Sequence, residues 1–304
     1  MTRRVSPIVG LLTVAFCVAA LPAHAQLDEH TQWALDLSRH YRIYSNIPYL
    51  TANNLQVKLD IYRPLGADGP QPTVIYFHGG GWVGGSKEGA AFRLMPYLAN
   101  GFVAVNVQYR LGRVSLAPAA VEDTRCALRW VLQNAEAYDI DTSRIIVTGH
   151  SAGGHLSLTT GMLPASAGLD RQCVGLDDVS VAAIVNWYGI TDVADLIDGP
   201  NTKSYAVEWL GSIPDREAIA QRVSPLTYVR RGLPPTITIH GDADGVVPYS
   251  HATRLQEALD EAGVPNKLVT IPGGGHGGFS AEQSARAYAA IMDFLAEHGI
   301  LEKR

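Results

Sequence analysis

The chain has 304 residues, of which 47% are hydrophobic and 17% charged, and its formal net charge is −5. This composition supplies apolar material for a large buried core and excludes a disordered chain. The sequence offers no basic stripe that could bind nucleic-acid phosphates, so we expect no nucleic-acid partner.

The first 25 residues differ in composition from the rest of the chain. Two arginines near the start precede an apolar run over 8–21, and the small residues Ala23 and Ala25 occupy the positions that a signal peptidase reads. The pattern predicts a secretory signal peptide over 1–25, because the apolar run is short for a membrane anchor. We expect the mature chain, 26–304, to be a single secreted or periplasmic domain that is not held in a membrane.

Cys126 and Cys173 are the two cysteines that follow residue 25. In an oxidising compartment such a pair can form a disulfide, and two separate buried thiols are the alternative. The sequence leaves both possibilities open. Neither cysteine belongs to a catalytic pattern.

Two kinds of apolar segment alternate along the chain after residue 54. Short β-rich runs predict strands at 55–62, 73–77, 102–109, 145–148, 181–187, 236–239 and 268–271. Helix-forming stretches predict helices at 119–137, 152–162, 250–262 and 281–298. This alternation predicts an α/β fold, with a mostly parallel sheet covered by helices on both faces.

The stretch over 191–231 interrupts the alternation. It is longer than a strand-to-helix connection needs, and it carries the aromatic residues Tyr205, Trp209 and Tyr228. Long insertions in compact domains are usually lids or binding loops. We therefore expect these residues to form a small cap over an active site, and we refer to residues 191–231 as the cap insertion.

The pentapeptide GHSAG at 149–153 lies between a predicted strand and a predicted helix. A nucleophilic hydroxyl has to project from a sharp strand-to-helix turn, and glycines two residues before and after it leave room for that turn. The pattern predicts Ser151 as a nucleophile. The N-terminus of the following helix places positive partial charge beneath it.

A second glycine-rich segment, HGGGW at 78–82, directly follows the predicted strand 73–77. Acyl transfer places negative charge on the substrate oxygen, and preorganised backbone N–H groups stabilise that charge. Consecutive glycines let the backbone approach the oxygen closely. We expect the N–H groups of Gly80, Gly81 and Ala152 to form this oxyanion hole.

The same loop imitates two nucleotide-binding motifs. The glycines of 79–84 fit a dinucleotide fingerprint, but that motif needs an acidic residue at the end of the next strand, which ends in Gln108 and Tyr109. The order Ser86-Lys87 is the reverse of the order in a phosphate-binding P-loop. Both comparisons argue against a nucleotide ligand.

Two further loops follow predicted strands and supply a base and an acid. The segment 240–248, HGDADGVVP, offers Asp242 and Asp244, and the segment 273–279, GGGHGGF, offers His276. A carboxylate can orient a histidine that takes the proton of a serine. The chain order Ser, Asp, His is that of α/β-hydrolases. Position alone does not choose between the two aspartates.

Other polar residues are expected to have structural roles. His155 lies one turn into the predicted helix 152–162 and should pack or form hydrogen bonds. Asp123 should pair with Arg125. The sequence contains no His-Glu-x-x-His motif and no Cys/His cluster. We therefore expect neither a metal nor another cofactor.

Several motifs together carry a family resemblance, over nearly the whole mature chain. They are LDIYRP at 59–64, HGGGW at 78–82, GHSAGGHL at 149–156, NWYGITD at 186–192, SPLTYV at 224–229, HGDADGVVP at 240–248 and GGGHGGF at 273–279. The chain resembles the bacterial bifunctional feruloyl/acetyl xylan esterases, which are related to hormone-sensitive-lipase-like carboxylesterases. The resemblance implies an α/β-hydrolase fold and makes Asp244 the acid of a Ser151–His276–Asp244 triad.

The function that we expect is therefore that of a secreted serine carboxylesterase. Its substrates would be short-acyl esters, as small molecules or as acetyl or feruloyl esters of plant polysaccharides. We expect Trp82, Tyr188 and Trp209 to contact the substrate. The long N-terminal helical cap of hormone-sensitive-lipase relatives is missing, which argues against a lipid-like substrate.

Two other functions fit parts of the sequence. Kynurenine formamidases, which hydrolyse an aryl amide, share HGGGW and a similar triad, but they are typically cytosolic, and the signal peptide argues against them. Binding proteins of the α/β-hydrolase fold usually lack a triad member, whereas Ser151, Asp244 and His276 are all present here.

Cleavage after Ala25 would give the exported protein Gln26 as its first residue, because the signal peptidase reads the two small residues just before the cut. N-terminal mass spectrometry of protein from the culture medium and the periplasm measures this directly. Exported protein that still begins at Met1 would contradict the prediction.

Overall fold

The computed structural model describes residues 28–173, 175 and 179–302. The predicted signal peptide over 1–25 lies outside these residues. Of the helices in this part of the chain, none is both long enough and apolar enough to cross a membrane.

One eight-stranded sheet runs through the molecule. Its strands are β1 (Tyr41–Ala52), β2 (Leu55–Pro64), β3 (Gln71–Phe77), β4 (Val103–Val107), β5 (Ile140–His150), β6 (Ala183–Trp187), β7 (Thr236–Gly241) and β8 (Asn266–Ile271). Its α-helices are α1 (Glu29–His40), α2 (Lys87–Ala90), α3 (Met95–Leu98), α4 (Ala119–Gln133), α5 (Ala152–Met162), α6 (Ser204–Leu210), α7 (Arg216–Arg222), α8 (Ser250–Glu261) and α9 (Ala281–Glu297).

The strands lie in the order β1-β2-β4-β3-β5-β6-β7-β8. β2 pairs antiparallel with both β1 and β4, and every pair from β4 across to β8 is parallel. Parallel sheets need helices on both faces, because their strands are apolar on both sides. The structure confirms the predicted α/β fold with a mostly parallel sheet.

Alternate residues of β3 show how the two faces of the sheet are filled. Ile75 and Phe77 belong to one hydrophobic core, and Val74 and Tyr76 belong to the other. This alternation follows from the two-residue repeat of a strand. The first core lies beneath α4, α5 and α8, and the second lies beneath α2, α3 and α9.

Helix α9 illustrates how local sequence sets an element. Ser280 accepts a hydrogen bond from the Gln283 N–H, and the Gln283 side chain accepts one from the Ser280 N–H, which makes a capping box. The helix then buries Ala287, Ile291 and Phe294 at intervals of three to four residues. The last residues of the described chain are thereby packed against the sheet.

The cap insertion folds between β6 and β7, as predicted, into α6 and α7 with short 3-10 turns. Its two ends meet, because the Leu226 N–H donates to the Thr191 carbonyl oxygen at 3.0 Å. Trp209 in α6 is fully buried. The insertion is therefore a packed unit held against the main sheet.

The sequence patterns missed α1 and β1 at the start of the described chain. No α1 residue is buried, and in β1 most residues are partly or fully exposed. β1 is an edge strand that contains Pro48, a residue that edge strands tolerate. Hydrophobic periodicity is weak in elements that bury so little apolar surface.

The prediction that Asp123 pairs with Arg125 is wrong. Asp123 instead accepts hydrogen bonds from Arg110, and Arg125 donates to Asp170 at 2.8 Å. The physical reason is that side chains two residues apart on a helix point in different directions. Both carboxylates are buried beside their arginines, so each ion pair joins α4 to another segment of the chain.

Cys126 of α4 and Cys173 form a disulfide with a Cα–Cα distance of 5.4 Å. The structure thereby decides between the two alternatives that the sequence left open. The bond closes a loop with a sequence separation of 47 residues. It adds a covalent link where Arg125 and Arg129 both bind Asp170.

Replacing both cysteines with serine should lower the free energy of unfolding by about 2–4 kcal/mol, because the open chain gains loop entropy in the unfolded state. Urea denaturation of the wild type and the Cys126→Ser/Cys173→Ser variant measures the difference. As a control, dithiothreitol should remove most of the difference in the free energy of unfolding between the two proteins. Equal stability under oxidising conditions would contradict the expectation.

Candidate active site

Ser151 lies on a sharp turn between β5 and α5, as the pentapeptide predicts. Its backbone has φ 58° and ψ −120°, a conformation that non-glycine residues rarely adopt. The turn is held because the Ser151 N–H donates to the Trp187 carbonyl oxygen at 2.9 Å. A side chain at Gly153 would collide with the Phe77 carbonyl oxygen, so the glycine is required there. The turn aims the hydroxyl into a cavity.

That cavity has a volume of about 490 Å³ and lies at the carboxyl ends of the parallel strands. In open α/β sheets this edge is where ligands bind. Its lining brings together residues from several loops: Tyr76, His78, Gly79, Gly80, Gly81, Gly85, Ser86, Gly89, Ala90, Arg93, His150, Ser151, Tyr188, Tyr205, Val246 and His276.

The glycine loop after β3 borders the cavity beside Ser151. Gly80 and Gly81 both line it, and Ala152 is the first residue of α5. The Gly80 carbonyl oxygen accepts the N–H groups of Val83 and Gly84, which fixes the loop in a tight turn. Of the three residues expected to form the oxyanion hole, Gly80 and Gly81 line the same cavity as Ser151, and Ala152 directly follows Ser151 in the chain.

The expectation that Trp82 and Trp209 contact the substrate is corrected by their burial. Both are fully buried, they stack with ring centroids 4.1 Å apart, and neither lines the cavity. Trp82 Nε1 donates to His155 Nδ1 at 3.1 Å, and His155 Nε2 donates to the Val223 carbonyl oxygen. Burial lowers the pKa of His155 to about 4, which keeps the ring neutral for these bonds. The two tryptophans anchor the glycine loop to the cap insertion.

His276 and Asp244 are brought together by the loops after β8 and β7. His276 Nδ1 lies 2.7 Å from Asp244 Oδ2, and the other Asp244 oxygen accepts the N–H groups of Val246 and Val247. The Asp244 side chain is fully buried, whereas that of His276 is 19% exposed. The carboxylate is fixed by its loop, and the imidazole remains accessible from the cavity.

The structure assigns the two competing aspartates different positions. Asp242 accepts the Gly273 N–H at 2.6 Å and so ties its loop to the loop that carries His276. Asp244, not Asp242, contacts the His276 ring. The distinction that the family resemblance implied therefore has a geometric basis.

His240 is a contributor that sequence patterns did not identify. Its Nε2 lies 3.3 Å from Asp244 Oδ2, and its ring is fully buried. Burial disfavours ionisation of Asp244, but hydrogen bonds from His240 and His276 outweigh it and hold the pKa of this carboxyl well below its usual range. Asp244 is therefore an anion at neutral pH. The only sequence signal was that His240 directly follows the predicted strand 236–239 and begins the segment that carries Asp244.

Tyr188 lines the cavity, as expected, and borders His276. Its ring centroid lies 4.7 Å from that of His276, and its backbone N–H donates to the Ile239 carbonyl oxygen. Burial raises the pKa of Tyr188 to about 12, so the phenol is neutral. Tyr188 thus supports one side of the imidazole.

No hydrogen bond joins Ser151 to His276 among the described residues; such bonds often form only when substrate binds.

The cap insertion contributes Tyr205 to the cavity. The Tyr205 side chain lies against Gly81, where a Cβ would approach it to 2.8 Å, and Tyr205 Oη donates to the Val246 carbonyl oxygen. Lys203 Nζ also donates to the Gly245 carbonyl oxygen. The insertion therefore contacts both the glycine loop and the loop after β7 that carries Asp244. The sequence indicated the cap but predicted Trp209 as its substrate contact, whereas the structure places Tyr205 at the cavity.

In the stretches 28–173, 175 and 179–302, no three His, Cys, Asp or Glu side chains are grouped so that they could hold a metal ion. The site presents a serine on a strained turn, a histidine bonded to a buried carboxylate, and a glycine loop beside them.

Comparison with known proteins gives several similar chains. Esterase LipC of Mycobacterium tuberculosis (strain ATCC 25618 / H37Rv) is 29% identical over 79% of this chain and 61% of its own length. The probable carboxylic ester hydrolase LipM of the same strain is 32% identical over 88% of this chain and 64% of its own length. The chain thus spans about three-fifths of the length of these relatives.

Solved structures match over nearly their whole length. Thermogutta terrifontis esterase 2 phosphorylated by paraoxon has 27% identity and a TM-score of 0.72, over 87% of this chain and 96% of its own. A truncated form of a carbohydrate esterase from gut microbiota has 28% identity and a TM-score of 0.70, over 85% and 96%.

The fold, the geometry of the site and the similar structures define the class of the protein as an α/β-hydrolase. The model of the BD-FAE family matches residues 59–259, more than half of the chain. The chain belongs to the BD-FAE family. A second model, TAP-like protein, matches residues 217–302.

Asp244→Asn should lower kcat by about 10⁴-fold, as the equivalent change does in serine proteases, because an amide stabilises the wrong tautomer of the histidine. Asp242→Asn, which weakens one hydrogen bond between loops, should cost less than about tenfold. Steady-state hydrolysis of 4-nitrophenyl acetate measures both. If Asp242→Asn were nearly inactive and Asp244→Asn remained active, Asp242 rather than Asp244 would be the carboxylate that orients His276.

Proposed function

We propose that the protein is a secreted carboxylesterase that hydrolyses short-acyl esters through an acyl-enzyme on Ser151. The observation that carries the proposal is the bond from His276 Nδ1 to the buried Asp244 carboxylate, in a cavity that Ser151 and His276 both line. This arrangement is what a serine nucleophile needs for activation. The roles below rest on it.

In the first half of the reaction the Ser151 hydroxyl attacks the ester carbonyl carbon while His276 Nε2 takes its proton. Asp244 holds the tautomer whose Nε2 is free, and its charge stabilises the imidazolium. The N–H groups of Gly80, Gly81 and Ala152 stabilise the oxyanion. The tetrahedral intermediate then collapses, and the alcohol leaves with the proton from His276.

In the second half a water molecule takes the place of the alcohol. His276 accepts a proton from this water, which attacks the acyl carbon, and the same N–H groups stabilise the second oxyanion. Collapse of the intermediate returns the proton to Ser151 and releases the acid. Every proton in the cycle passes through His276, and the chain's own groups supply each step.

The substrates that we propose are esters of short acids, as small molecules or as acetyl or feruloyl esters of plant polysaccharides. A cavity of about 490 Å³ that is closed on one side by Tyr205 suits a short acyl group. Thermogutta terrifontis esterase 2, 27% and 26% identical in these structures, has been solved bound to propionate and to butyrate. The carbohydrate esterase among the similar structures supports a sugar alcohol.

Export is proposed on two independent observations. The first 25 residues have the composition of a signal peptide. Cys126 and Cys173 are joined in a disulfide, and such bonds persist mainly in oxidising compartments such as the periplasm and the extracellular space. Both support a secreted or periplasmic location.

Ser151→Ala should lower hydrolysis of 4-nitrophenyl acetate by about 10³-fold or more, because the nucleophile is lost. Wild-type activity should be highest on acetate to butyrate esters and fall for decanoate. Paraoxon should add a phosphoryl group to Ser151, which peptide mass spectrometry identifies. The matched control is Ser157→Ala, which should keep most of the activity because Ser157 is a buried serine of α5 that lies outside the cavity.

The outcomes separate the proposal from its alternatives. Turnover of an aryl formamide in preference to aryl acetates would identify an amide hydrolase. Absence of both turnover and a paraoxon adduct would identify a binding protein. Preference for decanoate over butyrate would place the protein among the lipases.

A further inference from the structure

Arg93 is a cationic residue in the cavity that the proposed mechanism does not use. It lies in the 3-10 turn Ala91–Leu94 between α2 and α3, and its side chain is exposed. It lines the cavity that contains Ser151 and also a second chamber of about 180 Å³. Arg93 therefore marks the junction between the two spaces.

The second chamber adjoins the catalytic residues. It shares Arg93, His150 and Tyr188 with the first cavity, and Gly277 and Gly278, which follow His276, form part of its wall. Its remaining lining is largely aromatic: Trp187, Phe279, Ser284 and Tyr288. A substrate bound at Ser151 can thus extend along aromatic side chains toward one guanidinium group.

The guanidinium of Arg93 is nearly free of protein partners. Its Nη1 lies 3.4 Å from His150 Nε2, and no ion pair involves Arg93 within the described part of the chain. An arginine has five N–H donors. In contrast, Arg110 and Arg125 in the core are each bonded to a buried aspartate. Arg93 consequently retains donors for a ligand.

The geometry around His150 keeps this charge available. Burial, with help from Arg93 and His276, lowers the pKa of His150 well below its ordinary value, so its ring is neutral. Since Arg93 can only donate, His150 accepts at Nε2 and donates from Nδ1 to Tyr76 Oη, 2.9 Å away. His150 therefore orients the guanidinium without neutralising it.

The lining of the two chambers, as far as the structure describes it, supplies no carboxylate that would compete for Arg93. Neither chamber has an aspartate or glutamate among its described lining residues, and Asp244 lies behind His276. Burial raises the pKa of both Tyr188 and Tyr288 to about 12, and the positive charge of Arg93 opposes that rise in each. The field of Arg93 thus reaches both sides of the second chamber.

We propose that Arg93 binds a free carboxylate of the substrate, so that the preferred esters carry an anionic group besides the ester bond. This inference rests on the proposed esterase function. A guanidinium binds a carboxylate through two parallel N–H···O bonds, which suits a planar anion. The carboxylate can belong to the acyl group or to the alcohol, for example an acidic sugar, and the test separates the two.

The test uses two matched pairs of esters. The acyl pair is mono(4-nitrophenyl) glutarate and 4-nitrophenyl pentanoate, which share leaving group and chain length. The alcohol pair is 4-acetoxybenzoate and its methyl ester. The quantity compared is the ratio of kcat/KM between variant and wild type for each ester, because this ratio cancels differences in intrinsic reactivity.

Arg93→Gln should lower kcat/KM for the carboxylate member of one pair by about tenfold, mainly through KM, because a charge-assisted contact is lost. For the neutral member, kcat/KM should fall by less than about twofold. For the carboxylate member, Arg93→Lys should give a kcat/KM between those of Arg93→Gln and the wild type, because an ammonium keeps the charge but lacks the two parallel N–H donors of a guanidinium. The pair that responds identifies the side of the ester that bears the anion. The matched control is Arg286→Gln, an exposed arginine of α9 outside both chambers, which should change neither member.

Equal losses on charged and neutral esters would overturn the proposal, because they would show a packing role next to His150. No loss on either would overturn it as well, since Arg93 would then be only a solvated surface residue. Wild-type turnover of the neutral esters, with Ser151 as the paraoxon target, keeps these outcomes distinct from failure of the esterase function, in which no ester reacts.

Discussion

The Asp244 carboxylate is the constraint on which the arrangement of the site depends. One oxygen is held by the backbone N–H groups of Val246 and Val247, and the other lies near the rings of His276 and His240. A buried charge is stable only when such donors surround it. Because these donors lie on β7 and on the loops that follow β7 and β8, the carboxylate has all of its partners only when these two strands lie side by side.

The glycine loop depends on a second, apolar constraint. Trp82, the last residue of the HGGGW segment, lies in the core, where it stacks on Trp209 of the cap insertion and donates a hydrogen bond to His155 of α5. Three segments distant in sequence therefore share one packed cluster. This cluster ties the glycine loop, whose Gly80 and Gly81 line the cavity, to the cap insertion and to α5. The cap insertion thus packs against the glycine loop as well as bordering the cavity.

Electrostatics distinguish the inside of the site from its rim. Burial keeps His150 and His155 neutral, whereas Asp244 stays ionised because of its donors. Arg93 remains as an unpaired positive charge at the edge of this largely neutral space. The net charge of the chain is −5. The positive charge of Arg93 at the cavity, which underlies the proposed preference for anionic esters, is therefore not revealed by the overall composition.

The sequence by itself determined the α/β class and the cap insertion, because the periods of strands and helices are readable along the chain. It also determined Ser151, Asp244 and His276 as candidates, because each of these residues lies in a glycine-containing turn or loop after a predicted strand. It could not choose between Asp242 and Asp244 without a family resemblance, and it misjudged Trp82, Trp209 and the Asp123–Arg125 pair. Which way a side chain points, and whether Cys126 meets Cys173, depend on contacts between distant segments. Burial, ion pairing and the position of Arg93 arise only when those segments pack, so tertiary structure alone decided them.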